Sequence, residues 1–128
     1  MGNQDRVVPV SDNGVSNVET SDEYESVPIS YILSTPGKIY MRDDGVNTVA
    51  DACRIMRHYG ARNVVHHVIR RGSEIYVVWT STDPGAVNQF ATDRLFEGQQ
   101  VCGPVLITEV RDNAFREIDF DCFKDNFL

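Results

Sequence analysis

Residues 63–80 read NVVHHVIRRGSEIYVVWT, and this stretch decides the fold. Two runs rich in β-branched and aromatic residues, Asn63 to Ile69 and Glu74 to Thr80, flank the turn sequence Arg70-Arg71-Gly72-Ser73. Two β-prone runs joined by a short turn that contains glycine predict a β-hairpin. Side chains alternate between the faces of a strand. In the second run, one face points towards the predicted helices and carries Ile75, Val77 and Trp79. The other face is predicted to be open and carries Glu74, Tyr76 and Val78.

A helix is predicted on each side of this hairpin. Upstream, apolar residues recur at helical spacing from Val46 to Tyr59, Asp43-Asp44-Gly45 offers an N-cap, and Gly60 follows as a helix terminator. Downstream, Asp83 is placed as an N-cap and Pro84 as the first helical residue, and Val87 to Leu95 continue at helical spacing. Each hairpin strand therefore adjoins a helix in the chain.

Two further strands complete the pattern. Lys38 to Arg42 is a short β-prone run before the first helix, and Val101 to Val110 contains a run interrupted by Gly103-Pro104. The order is strand, helix, hairpin, helix, strand. With right-handed crossovers, this order predicts an α+β domain over residues 37–111, a ferredoxin-like βαββαβ sandwich. It would have a four-stranded antiparallel sheet with both helices on one face.

The chain extends beyond this domain at both ends. Residues 1–26 are acidic and polar without a sustained period, which predicts a disordered tail. Residues 27–36 are predicted as an extension that packs on the domain, and Pro28 should confine its β-prone part to a sheet edge. Residues 112–128 carry apolar residues that fit a partly helical segment packed on the domain, and strand spacing fits the first half of this segment nearly as well.

The acidity of the chain belongs to these flanks. The formal net charge is −7, from 12 Lys and Arg against 19 Asp and Glu. Residues 1–37 contribute −5 (six acids, one base), residues 112–128 contribute −3 (five acids, two bases), and residues 38–111 contribute +1 (nine bases, eight acids). A nucleic-acid surface on the central domain is therefore compatible with the low pI, although it would attract phosphates weakly.

No residues predict an enzyme, a cofactor or a metal. Cys53, Cys102 and Cys122 are far apart in sequence and form no C-x-x-C pair, which favours reduced thiols in an intracellular compartment. His66 and His67 are neighbours on a strand, so they point to opposite faces and cannot hold one metal together. Known catalytic and phosphate-binding motifs are absent from the sequence, and no apolar run reaches the length of a membrane span.

Four features follow one another along the central domain: Tyr59-Gly60 after the first helix, the aromatic hairpin strand, Thr82-Asp83-Pro84 and the late sequence VCGPVL at 101–106. In this order they resemble the RNA recognition motif (RRM) family. In such domains, bases stack on aromatic residues of two central strands. The resemblance places Tyr40 and Tyr76 at two of three stacking positions and Glu74 at the third. The implied RNA-binding set is Tyr40, Arg42, Arg70, Arg71, Glu74 and Tyr76.

A second feature resembles RRM variants of the UHM type, which bind a tryptophan-bearing peptide through an R-x-F motif. Arg94-Leu95-Phe96 has this form. The alternative is that Phe96 belongs to the core and Arg94 is solvated. The protein-partner set that these features and the apolar flanks suggest is Arg94, Phe96, Phe115, Ile118 and Phe123.

Two functions follow as expectations. The first is a non-enzymatic protein–protein interaction (assembly) domain in an RNA-processing or ribonucleoprotein complex, whose RNA binding is weak because Glu74 repels phosphates. The alternative is a single-stranded RNA-binding domain that uses Tyr40 and Tyr76, where stacking contributes about 1–3 kcal/mol per base. A homodimer is a further alternative, and nuclear and cytoplasmic locations both remain open.

Overall fold

The computed structural model describes residues 7–9, 29–43 and 45–128, with side chains from Ile29 onwards. Helices α1 and α2 span Val49–His58 and Phe120–Phe127, and a π-helical segment spans Ala91–Leu95. The strands are β1 (Val7–Pro9), β2 (Tyr31–Ser34), β3 (Ile39–Arg42), β4 (Val64–Arg71), β5 (Glu74–Ser81), β6 (Val105–Arg111) and β7 (Ala114–Arg116).

These strands form one antiparallel sheet, which confirms the α+β class. The order is β1-β3-β2-β6-β5-β4, and β7 pairs with the far end of β6. The expected four-stranded ferredoxin-like sheet is not confirmed, because the described sheet has seven strands. Strand β3, which was predicted to be the first strand of that sheet, pairs with β1 and β2 and makes no ladder with the hairpin.

Strand β2 explains this difference. It was expected as an edge segment, yet it pairs with β3 on one side and β6 on the other. Ile32 and Leu33 are both fully buried, one on each face of the sheet. A strand that is apolar on both faces gains most from a central position, because there both faces are removed from water. Pro28 precedes the strand and lies outside the described residues.

Helical segments cover both faces of the sheet. Leu33, Trp79 and Leu106 pack with α1 in one core cluster. Ile32, Val78 and Ile107 pack with the π-helical segment and α2 in a second cluster. The alternation predicted along the hairpin is therefore confirmed, whereas the expectation of both helices on one face is wrong. The face predicted to be open is covered.

Helix α1 begins later than its sequence signal suggests. Thr48 is its N-cap, and Thr48 and Asp51 form a capping box, in which Thr48 Oγ1 accepts from the Asp51 N–H at 3.1 Å. The expected cap at residues 43–45 is therefore wrong, since Thr48 and Asp51 satisfy the first backbone N–H groups. The helix ends at His58 with Tyr59 as its C-cap, and Gly60 follows with φ of +99°, as glycine permits.

The second predicted helix is replaced by the short π-helical segment. Asp83 does not cap a helix, because its carboxylate accepts from the Arg62 N–H at 2.6 Å and from the Ser81 hydroxyl at 2.7 Å. Val87 forms a β-bridge with Cys102 instead of a helical turn. The helical turn starts only at Asn88, whose Oδ1 accepts from the Ala91 N–H at 3.1 Å.

Both flanks contribute to the sheet or its cover. Within the tail expected to be disordered, Val7–Pro9 forms β1 against β3, so that expectation is wrong for these residues. Residues 1–6 and 10–28 lie outside the described residues. In the C-terminal extension, β7 pairs with β6, and α2 packs on the sheet through Phe123 and Phe127.

Candidate functional site

Tyr76, the main aromatic residue of the expected RNA platform, is fully buried. Helix α2 lies over it, with the rings of Phe127 and Phe123 centred 5.0 and 6.2 Å from the Tyr76 ring. Its hydroxyl accepts from Asn126 Nδ2 at 3.0 Å. The side chain therefore lies in the core, and no base can reach its ring while α2 is docked.

A polar group of side chains surrounds the Tyr76 hydroxyl. Asn126 also donates to Glu74 Oε1 at 3.3 Å, and Glu109, 1% exposed, accepts from the Asp119 N–H at 3.2 Å and from Arg111 at 3.2 Å. Burial raises the pKa of Tyr76 to about 12, and the charge of Glu109 adds to the shift. Burial also raises the pKa of Glu109. The group anchors α2 to the sheet, and Glu74, expected to face RNA, belongs to this anchor.

Cys122 borders the same group and stays protonated. A hydrogen bond with Glu74, followed by burial, raises the pKa of this thiol to about 11. A thiol needs to ionise to act as a nucleophile, so Cys122 lacks the reactive form at neutral pH. Cys122 therefore borders the packed group beneath α2 as a thiol whose ionisation is disfavoured.

The other predicted RNA-binding residues are dispersed. Tyr40 is half-buried on the α1 face, and the Arg42 guanidinium lies 5.8 Å from the ring centres of both Tyr40 and Tyr59 and donates to the Tyr59 hydroxyl. Arg71 forms an ion pair with Glu97 at 3.5 Å. The expected set therefore does not form one surface in this structure.

The predicted partner-binding residues are also divided. Ile118 and Phe123 are buried in the cluster beneath α2, and Phe96 packs against that cluster. Phe115 packs on the opposite face, beside Trp79 at 6.4 Å between ring centres. Arg94 is exposed and donates to the Leu128 carbonyl at 3.4 Å. Phe96 thus packs against the core and Arg94 is solvated, as in the alternative interpretation of the R-x-F sequence.

One edge of the described sheet is strand β4, which the sequence predicted only as half of a hairpin. It is eight residues long and pairs with β5 alone among the described strands. Most of its side chains are exposed, including the apolar Val65 at 40% and Val68 at 57%. Edge strands are usually guarded by proline, bulges or short length, because their unpaired backbone can add a further strand. β4 has no proline and no bulge and is not short, and of the usual guards it carries only charged side chains, Arg70 and Arg71.

The ladder with β5 defines which backbone groups of β4 are unpaired. The Thr82 N–H donates to the Asn63 carbonyl at 3.0 Å, and the register continues as Val64 opposite Ser81. In an antiparallel pair, hydrogen-bonded and non-hydrogen-bonded positions alternate. The N–H and C=O groups that point away from β5 therefore belong to Val64, His66, Val68 and Arg70.

The same edge is basic. Residues 62–71 contain three arginines, two histidines and no carboxylate. Arg70 is exposed and makes no ion pair with a described residue, while Arg71 is held by Glu97 and lies 5.1 Å from the centre of the Phe127 ring. His66 lies against the Trp79 ring at 5.3 Å. The edge thus combines three features: backbone groups that pair with no described strand, exposed valines and positive charge.

Other kinds of site have no support in the described part of the chain. Within residues 7–9, 29–43 and 45–128, no three His, Cys, Asp or Glu side chains are grouped as metal ligands. The helices found there are too short or too polar to cross a membrane. In the comparisons with known proteins, no family model, no curated protein and no solved structure matches this chain.

Proposed function

We propose that this chain is a non-enzymatic protein-interaction domain, which binds an extended segment of a partner protein along the outer edge of β4. The observation that carries the proposal is that the outward backbone groups of Val64, His66, Val68 and Arg70 pair with no described strand and lie beside exposed valines. Addition of a strand to an open sheet edge is a common mode of peptide recognition, in which backbone hydrogen bonds supply affinity and alternate side chains supply specificity.

The sheet faces give the proposal less direct support, because described segments cover them and not the β4 edge. Both faces are packed under helical segments, and the buried ones among the predicted partner residues already contribute to the core. Base stacking by Tyr40 and Tyr76 has less support, because Tyr76 is covered by α2. Membership of an RNA-processing or ribonucleoprotein assembly, suggested by the resemblance to RRMs, is compatible with an edge that binds protein.

The test is selection from a displayed library of random extended peptides. Wild-type protein and Val68→Pro are compared, since proline at this outward position removes a backbone donor that β5 does not use. Val49→Ala, an exposed valine on α1, is the matched control. Peptides should be enriched by the wild type and by Val49→Ala and lost with Val68→Pro. A library that yields no peptide dependent on the edge would contradict the proposal.

Amide protection adds a direct readout. On binding a selected peptide, the amides of Val64, His66, Val68 and Arg70 should become protected from hydrogen exchange, while those of their neighbours in β4 change little. Protection concentrated on α1 or α2 instead would place the binding surface elsewhere.

A further inference from the structure

We infer that the β4 edge selects an acidic partner strand, one in which carboxylates flank an apolar residue at every second position. This inference rests on the proposed function and names its ligand. It commits to an extended segment of a partner protein rather than to RNA or to a second copy of this chain.

Charge is the first argument. Residues 62–71 carry only basic and neutral side chains, and Arg70, at the outward register, makes no ion pair with a described residue. A carboxylate on the added strand directly opposite Arg70 would complete an exposed cross-strand pair, whereas a lysine there would be repelled. A second copy paired along the same edge would bring two basic strands together, so its charges are poorly matched.

The pattern of side chains on one face is the second argument. Val64, His66, Val68 and Arg70 lie on the α1 face, because their partners in β5 include Val77 and Trp79. Along this face, exposed Val68 lies between His66, which can donate a hydrogen bond, and Arg70. A complementary strand therefore presents an apolar side chain to Val68 and hydrogen-bond acceptors on both sides of it. Carboxylates two residues before and after the apolar residue meet this requirement in either strand direction.

Backbone recognition distinguishes such a strand from RNA. A phosphodiester chain satisfies the charge of Arg70 but cannot pair with the alternating N–H and C=O groups of an open edge. The ligand that satisfies both requirements is a polypeptide in extended conformation.

The probe is the labelled peptide Glu-Thr-Val-Thr-Glu-Thr-Val-Thr-Glu, blocked at both termini, with counterparts in which Lys replaces Glu or Thr replaces Val. Binding to the full chain is followed by fluorescence anisotropy. The acidic valine peptide should bind at least roughly tenfold more tightly than either counterpart, which corresponds to about 1.4 kcal/mol. Equal affinity for the Glu and Lys peptides would overturn the inference.

Protein variants locate the contact. Arg70→Glu should weaken binding of the acidic peptide roughly tenfold and improve that of the Lys peptide, and Val68→Pro should abolish both. Lys38→Glu makes the same charge change in the exposed turn between β2 and β3, so it should leave the preference intact. If Lys38→Glu weakens binding as much as Arg70→Glu, the attraction is a property of net charge and the inference fails.

The outcomes separate this inference from the proposed function. If the peptides whose binding depends on the β4 edge are basic or neutral, acidic selectivity is refuted and the proposed function still holds. Acidic peptides that bind regardless of Val68→Pro would refute both. A single-stranded RNA that competes with the peptide and binds with equal dependence on Arg70 but none on Val68→Pro would favour phosphate recognition and overturn the inference.

Discussion

Tyr40 and Tyr76 lie on opposite faces of the same sheet. Across the sheet, Tyr40 is level with Leu33, Leu33 with Leu106, and Leu106 with Trp79. Trp79 and Tyr76 are separated by an odd number of positions on β5, so their side chains point to opposite sides. One RNA strand cannot stack on both tyrosines. The resemblance to RRMs therefore does not extend to a shared aromatic platform.

The first prediction concerns Tyr76 as a core residue. Tyr76→Ala should lower the free energy of unfolding by about 3–5 kcal/mol, the usual range for deletion of a large buried aromatic side chain. Tyr76→Phe removes only the hydroxyl that bonds Asn126, and should cost about 1 kcal/mol. Urea denaturation measures both. A Tyr76→Ala variant as stable as the wild type would mean that α2 does not cover this face in solution.

The local pattern of the hairpin was predictable, but its position in the sheet was not. Alternation along Glu74–Ser81 depends only on the chemistry of neighbouring residues, and the structure confirms it. The position of β6 between β2 and β5 depends on competition between strands distant in sequence. That competition favours β2, because Ile32 and Leu33 need burial on both faces.

The candidate site illustrates the same limit. The sequence shows a β-prone run with valines, histidines and arginines, and it predicts a strand there. Whether that strand lies at an edge depends on how the others pair. Similarly, Asp83 has the local signature of a helix cap, yet its carboxylate accepts hydrogen bonds from Arg62 and Asn63, just before β4. A tertiary contact therefore replaced the local one, and the second helix was lost with it.

Asp83 gives the second prediction, an acid-sensitive contribution to stability. Hydrogen bonds from Ser81 and from the Arg62 backbone lower its pKa from 3.8 to about 2. The unfolded chain therefore binds this proton more readily than the folded one, so the contribution is complete above pH 3.8 and disappears as the pH falls towards 2. Asp83→Asn should lower the Tm at neutral pH. The difference in Tm between this variant and the wild type should shrink as the pH falls from 3.8 towards 2.

Asp125→Asn is the matched control for the loss of a carboxylate, since the Asp125 side chain is exposed and its carboxylate makes no hydrogen bond or ion pair with a described residue. Its Tm at neutral pH should stay close to that of the wild type, because the carboxylate has no described partner to lose. A Tm difference for Asp83→Asn that stays constant between pH 5 and pH 2 would contradict the assignment.

Glu109 gives a third prediction of opposite sign. Burial raises its pKa above the ordinary 4.5, so here the folded chain holds the proton more tightly. The contribution of Glu109 to stability is then greatest at low pH and decreases as the pH rises through 4.5 and the raised value. Glutamine cannot ionise, so the stability of the Glu109→Gln variant relative to the wild type should increase as the pH rises through this range. Denaturation curves at matched pH values check this, and a relative stability that is flat with pH would argue against a buried carboxyl.

The final prediction concerns the exchange rates of the β4 amides in the protein without a ligand. The amides of Val65, His67 and Ile69 donate to β5 and should exchange slowly, while those of Val64, His66 and Val68 point outward and should exchange quickly. Two-dimensional NMR after transfer to heavy water resolves this alternation residue by residue. Uniform protection along β4 would show that the edge is already covered. Dilution then identifies the cover: protection that is lost at low protein concentration indicates a second copy of the chain, because only an intermolecular contact weakens on dilution.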